Sequence, residues 1–202
     1  MECFMEVVQM TIGMRNSDTD QDTGKVYIIA DTHFGDNNIR LYEERPFSDT
    51  SEMDKEMIRR WNEVVSDRDY VYHLGDFCSK GEDRCCELLS QLNGHKYLVI
   101  GNHDLYLSPQ KWCELGFEKC YDLPVILKNF FMLSHYPLYV NRNMPYANLY
   151  GHVHNSPTYN SVSSRSACVS VERIGYAPIL LEDLRSLMLA EQAKEDAAAA
   201  TH

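Results

Sequence analysis

The chain has no run of the ~18 consecutive apolar residues that a membrane-spanning helix needs, so no span is expected. It also has no C-x-x-C pair. Seven cysteines stand at positions 3, 78, 85, 86, 113, 120 and 168. An odd number at such spacings argues against a disulfide framework, and free thiols in a reducing cytoplasm are the expectation. Residues 1–14 are mildly apolar, but Glu2 and Glu6 interrupt them and no basic stretch precedes them, so no secretion signal is read there. Positive charge is scarce: 19 Lys and Arg against 30 Asp and Glu leave a formal net charge of −11. Such a surface repels phosphate backbones, which speaks against bulk nucleic-acid binding. Neither an internal repeat nor a domain linker is evident, so 202 residues are most simply one domain.

What the chain does have is a repeated grammar of apolar runs that end in polar groups. Tyr97-Leu98-Val99-Ile100 meets Gly101 and then Asn102, His103 and Asp104. Val26-Tyr27-Ile28-Ile29-Ala30 runs into Asp31-Thr32-His33, and Tyr70-Val71-Tyr72-His73-Leu74 into Gly75-Asp76. Phe130-Phe131-Met132-Leu133 runs into Ser134-His135, and Ala147-Asn148-Leu149-Tyr150 into Gly151-His152-Val153-His154. Short runs rich in Val, Ile and Tyr read as buried strands, and open α/β sheets hold ligands at the carboxyl ends of their strands.

The order of elements follows. Residues 1–24 read as a flexible or poorly defined N-terminal segment, with 15–24 a polar lead-in, 25–190 as one domain and 191–202 as a fraying tail. Strands are expected at 25–30, 70–74 and 96–100, separated by helices. The first helix opens on a capping box at Ser51 and Asp54 and carries Met53, Met57, Ile58, Trp61, Val64 and Val65 on its packing face. The second helix ends at Asn93-Gly94. This alternation predicts a parallel sheet. A short helix is expected around 109–115, then strands at 121–127, 129–134, 147–150 and 167–172, and a last helix from about Glu182. The pattern suggests two sheets packed face to face with helices outside.

Asp31, His33, Asp76, Asn102, His135, His152 and His154 are all plausible ligands of divalent metal. Two carboxylates, four imidazoles and one amide exceed what one ion needs and suit two ions if a carboxylate bridges them. Oxygen mixed with imidazole, without thiolate, points to Mn, Fe, Zn, Ni or Co rather than Ca, with Mn taken first. Two carboxylates, two divalent ions and a bridging hydroxide sum to about +1, a site that attracts phosphate on an acidic protein.

In order, Asp31-x-His33, Gly75-Asp76, Gly101-Asn102-His103-Asp104, His135 and Gly151-His152-x-His154 resemble the five motifs of the calcineurin-like metallophosphoesterase superfamily, in the manner of its small bacterial or phage-type members. The resemblance implies an α/β, four-layer αββα sandwich of two mixed β-sheets flanked by helices, with a dinuclear site between them. It implies that Asp31, His33, Asp76 and His154 hold one metal, that Asp76 bridges, and that Asn102, His135 and His152 complete the other. It makes His103 the acid that protonates the leaving alkoxide, with Asp104 holding its ring. Imidazole also has a suitable pKa for that task on general grounds. Gly75-Asp76-Phe77-Cys78-Ser79-Lys80-Gly81 lacks the arginine found in Ser/Thr protein phosphatases, which speaks against protein-phosphatase activity. Arg40, Arg45, Lys80 and Arg142 are the candidates for supplementary phosphate contacts. The expected activity is hydrolysis of phosphate mono- or diesters, such as a small phosphoester or nucleotide, by a metal-bridging hydroxide. The alternative is a protein-binding scaffold on the same fold with an inert metal site.

Overall fold

The computed structural model describes residues 24–141 and 143–200. Most of the expected lead-in, residues 1–23, and Arg142 lie outside them. Among the described residues, nine strands form two sheets. The first has the order β4-β3-β2-β1-β9, from β1 (Val26–Ile29), β2 (Tyr70–His73), β3 (His95–Val99), β4 (Lys119–Tyr121) and β9 (Ile179–Leu180). β1 to β4 run parallel, and β9 joins β1 antiparallel. The second sheet has the order β5-β6-β7-β8, from β5 (Val125–Leu127), β6 (Phe131–Ser134), β7 (Ala147–Tyr150) and β8 (Ser166–Cys168). Its β5–β6 pair is antiparallel and its other pairs are parallel, so both sheets are mixed and helices flank them.

Helices α1 (Asn37–Tyr42), α2 (Thr50–Val64), α3 (Glu82–Gln91) and α4 (Pro109–Leu115) precede the second sheet, and α5 (Leu181–Ala200) follows it. One buried cluster joins Met53, Met57 and Trp61 of α2 and Cys85, Leu88 and Leu89 of α3 to Tyr27, Ile29 and Val71 of the first sheet. A second cluster lies between the sheets. Ile28, Ala30, Leu74 and Val99 meet Phe131, Leu133, Ala147, Leu149 and Ala167 there, with Leu181, Leu184 and Met188 of α5. Strand residues alternate in direction, so Ile28 and Ile29 serve different cores. Among the described residues, no helix is long and apolar enough to cross a membrane.

Several local expectations change. The strand expected at 121–127 divides between the sheets: Tyr121 ends β4 and Val125 begins β5. Pro124, which has no N–H to give a ladder, lies in the gap. The strand expected at 167–172 leaves the second sheet after Cys168. Val169 then accepts from the Ala30 N–H and Val171 donates to the Ala30 carbonyl, which stitches the two sheets together. The N-cap of α2 is Asp49, which accepts from the Glu52 N–H. Asp54 is instead buried, accepting from the Gly35 N–H and from Arg84. Val64 stands exposed, and an additional short helix, α1, forms between β1 and α2. Residues 191–200, expected to fray, continue α5 with mostly exposed side chains.

Candidate metal centre

The candidate ligands come from the segments just past five parallel strand ends. Asp31 and His33 follow β1, Asp76 follows β2, Asn102 follows β3, His135 follows β6, and His152 and His154 follow β7. The first sheet therefore supplies four of the seven and the second sheet three. The chain bends sharply there. Asp31, His33, Asp76, His152 and His154 all have φ between +43° and +68°, the left-handed region that costs a non-glycine residue of order 1–3 kcal/mol. Such strain persists only where surrounding structure over-determines it. Two glycines of the motifs explain part of the spacing. A Cβ on Gly101 would strike the Asp76 carboxylate, and one on Gly151 would lie 2.6 Å from Asp31 Oδ2. The backbone can approach these carboxylates only without a side chain.

Two groups of donor atoms result. In Asp31, His33 and His154, and again in Asp76, His135 and His152, one ligand atom of each residue lies within 4.8 Å of the others. Asp76 Oδ2 links the groups: it is 3.4 Å from His33 Nε2 and 3.4 Å from His135 Nε2. Asn102 Oδ1 joins the second group, 2.9 Å from His135 Nε2 and 3.1 Å from His152 Nδ1. The structure thus brings all seven candidate ligands into one cluster, drawn from the strand ends of both sheets.

The electrostatics match a place built for cations. His135 Nδ1 is 2.9 Å from the Leu74 carbonyl, which can only accept, so that nitrogen carries the proton. Nε2 of the same ring faces Asn102 Oδ1 and Asp76 Oδ2. Both ring nitrogens of His33 are buried with no hydrogen-bond partner. Burial pushes the Asp31 carboxyl up to about 6, even though it accepts from Ser170 Oγ at 2.6 Å and from the His152 N–H. Burial also lowers His33 and His152 below the ordinary imidazole range. Asp76 goes the other way: burial opposes its charge, but His33 and His135 hold it down to about 2. Clustered imidazole nitrogens, two of them on His33 buried without a hydrogen-bond partner, and a carboxylate between the two groups are what bound divalent ions would satisfy, so the residues fit a pair of metals.

A model of the calcineurin-like phosphoesterase family matches residues 24–198. The chain belongs to that family. This calcineurin-like phosphoesterase is 37% identical over 165 residues to an uncharacterized protein of Methanocaldococcus jannaschii, covering 78% of this chain and 88% of that one. Over 82 residues it is 35% identical to the gene 66 protein of Mycobacterium phage L5, covering 39% of each. In fold it resembles a protein of unknown function from Aquifex aeolicus, with a TM-score of 0.64 and 26% identity over 81% of this chain and 99% of that one.

The chain also departs from the motif reading. Asp104 does not hold the His103 ring. It is fully buried and accepts three backbone N–H bonds, from Asp76 at 2.7 Å, Phe77 at 2.9 Å and Gly101 at 2.9 Å. Burial nevertheless lifts its carboxyl to about 6. His103 stands exposed with its ring edge-on to His33, centroids 5.0 Å apart, and its own N–H donates to Asp76 Oδ1. Arg45 is not free for a phosphate: it is buried, and its guanidinium is spent on Glu172 and on the carbonyls of Asp31 and Thr32. Arg40 donates to the Phe47 carbonyl and to Asn37. Lys80 is exposed.

Two residues at the site escaped the motif reading: Ser170 bonds Asp31 and Glu172 bonds His154. Tyr136, a tyrosine beside the motif loops, sets its half-exposed ring 4.5 Å from His152. The signal for Glu172 was present: it follows the strand-like run Ala167–Val171 as the candidate ligands follow theirs.

Proposed function

We propose that this chain is a dinuclear-metal hydrolase of phosphate esters, with Asp31, His33, Asp76 and His154 holding one ion, Asp76, Asn102, His135 and His152 the other, and manganese the first metal to test. The observation that carries the reading is the position of Asp76 Oδ2, 3.4 Å from one imidazole of each donor group. When bound, two such ions lower the pKa of water and neutralise charge on phosphoryl oxygens. The remaining work falls to the chain. Asp76, kept ionised well below neutral pH, supplies the shared negative charge. His103 stands at the exposed side of the cavity and delivers a proton to the departing alkoxide. Its main chain is tied to Asp76 Oδ1, which keeps acid and metal cradle in one register. Exposed His103 and His152 leave room for a small phosphoester or nucleotide.

The test is turnover of nitrophenyl and alkyl phosphate mono- and diesters by metal-loaded protein. His103→Ala should keep its metal, lose ~100-fold or more on alkyl esters, and lose far less on nitrophenyl esters, whose leaving group needs no proton. Equal losses on both classes would remove His103 from the acid's role. No turnover with Mn, Ni, Zn or Fe would favour the scaffold reading.

A further inference from the structure

Arg45 and Glu172 lie outside the five motifs, yet they touch two of them. Arg45 Nε and one terminal nitrogen reach Glu172 Oε1 at 2.9 and 2.6 Å. The two side chains are 0% and 3% exposed, so the pair is out of water. Arg45 also donates 2.7 Å bonds to the carbonyls of Asp31 and Thr32, inside the first ligand motif. Glu172 Oε1 lies 3.1 Å from His154 Nδ1, in the last ligand motif. Since a carboxylate paired with arginine accepts, this bond puts the proton on Nδ1 and leaves Nε2 of His154 with its lone pair. The same carboxylate with Glu43 and His154 could resemble a third cation cluster. The guanidinium already supplies the positive charge there.

We infer that the Arg45–Glu172 pair is a positioning device that fixes the backbone of Asp31-Thr32 and the ring of His154 relative to one another, and so sets metal affinity at the first donor group alone. The inference rests on the proposed dinuclear site. Its selectivity follows from where the contacts fall, on residues of the Asp31–His33–His154 group and not on Asn102, His135 or His152. Carboxylates that orient a ligand histidine are worth about 10–100-fold in metal affinity.

The experiment measures Mn(II) binding by calorimetry with Glu172→Gln introduced into two backgrounds. In His152→Ala the remaining ion reports the first group, and in His154→Ala it reports the second. Glu172→Gln should weaken Mn(II) about 10–100-fold in the first background and less than about twofold in the second. Equal weakening in both would mean a general structural role, and no weakening in either would mean no role; each overturns the inference. Arg45→Lys, which keeps the charge but not the fork, should repeat the selective loss if Glu172→Gln does not fold. Parent protein that binds fewer than two ions would overturn the dinuclear reading and this inference with it. Two ions in the parent with unaffected variants would overturn the inference alone.

Discussion

Asp104 is the neighbour of His103 in sequence, but its carboxylate bonds main-chain donors instead. Its oxygens accept from Asp76, Phe77 and Gly101, so one buried carboxylate ties the turn after β2 to the turn after β3. Asp104→Ala should therefore cost about 3 kcal/mol or more in urea unfolding, because three buried donors lose an ionised acceptor. His103→Ala, at an exposed position, should change stability by less than about 0.5 kcal/mol. Were Asp104 only a holder of the His103 ring, its removal would leave stability unchanged. The adjacency His103-Asp104 suggests a dyad in sequence, but neighbours in a turn need not face each other. Their orientation depends on where β2 lies, which is a long-range fact.

At the scale of elements, the start of β1 is tied to the turn before β2 by Asp69. It accepts from the Lys25 N–H at 2.7 Å and from both the N–H and hydroxyl of Ser66 at 2.8 Å. Burial works against its charge, but those donors hold its pKa below the ordinary carboxylate value. A depressed folded pKa gives stability that is fully present above about pH 4 and is lost as pH falls through the folded value. Asp69→Asn should thus lower the melting temperature most at pH 7 and 5, with the gap to the parent closing near pH 3. A gap constant over that range would contradict the linkage. β1, β2, β3 and β7 were legible because each is a mostly apolar run that stops at or just before a glycine or a candidate ligand. The division at 121–127 was not, since Tyr121 and Val125 are both good strand residues and only pairing partners separate them. β9 escaped as well, because two residues carry no period.

For the whole molecule, the donor groups draw on both sheets, and the chain from β8 crosses to Ala30 beside them. The seven candidate ligands were legible because each follows closely on a strand end. Arg45 was misread because a lone arginine in a polar loop gives no sign of burial, and its partner Glu172 lies 127 residues away. Metal bound between the sheets adds free energy only to the folded state, so Mn(II) in excess over its dissociation constant should raise the melting temperature, and a chelator should reverse the rise. The most direct test of the central claim is the number of Mn(II) ions retained per chain after stripping, reloading and desalting, read by elemental analysis for the parent and for Asp76→Ala. A shared Asp76 predicts two ions in the parent and fewer than one in the variant; one ion or none in the parent, or two kept by Asp76→Ala, would contradict it.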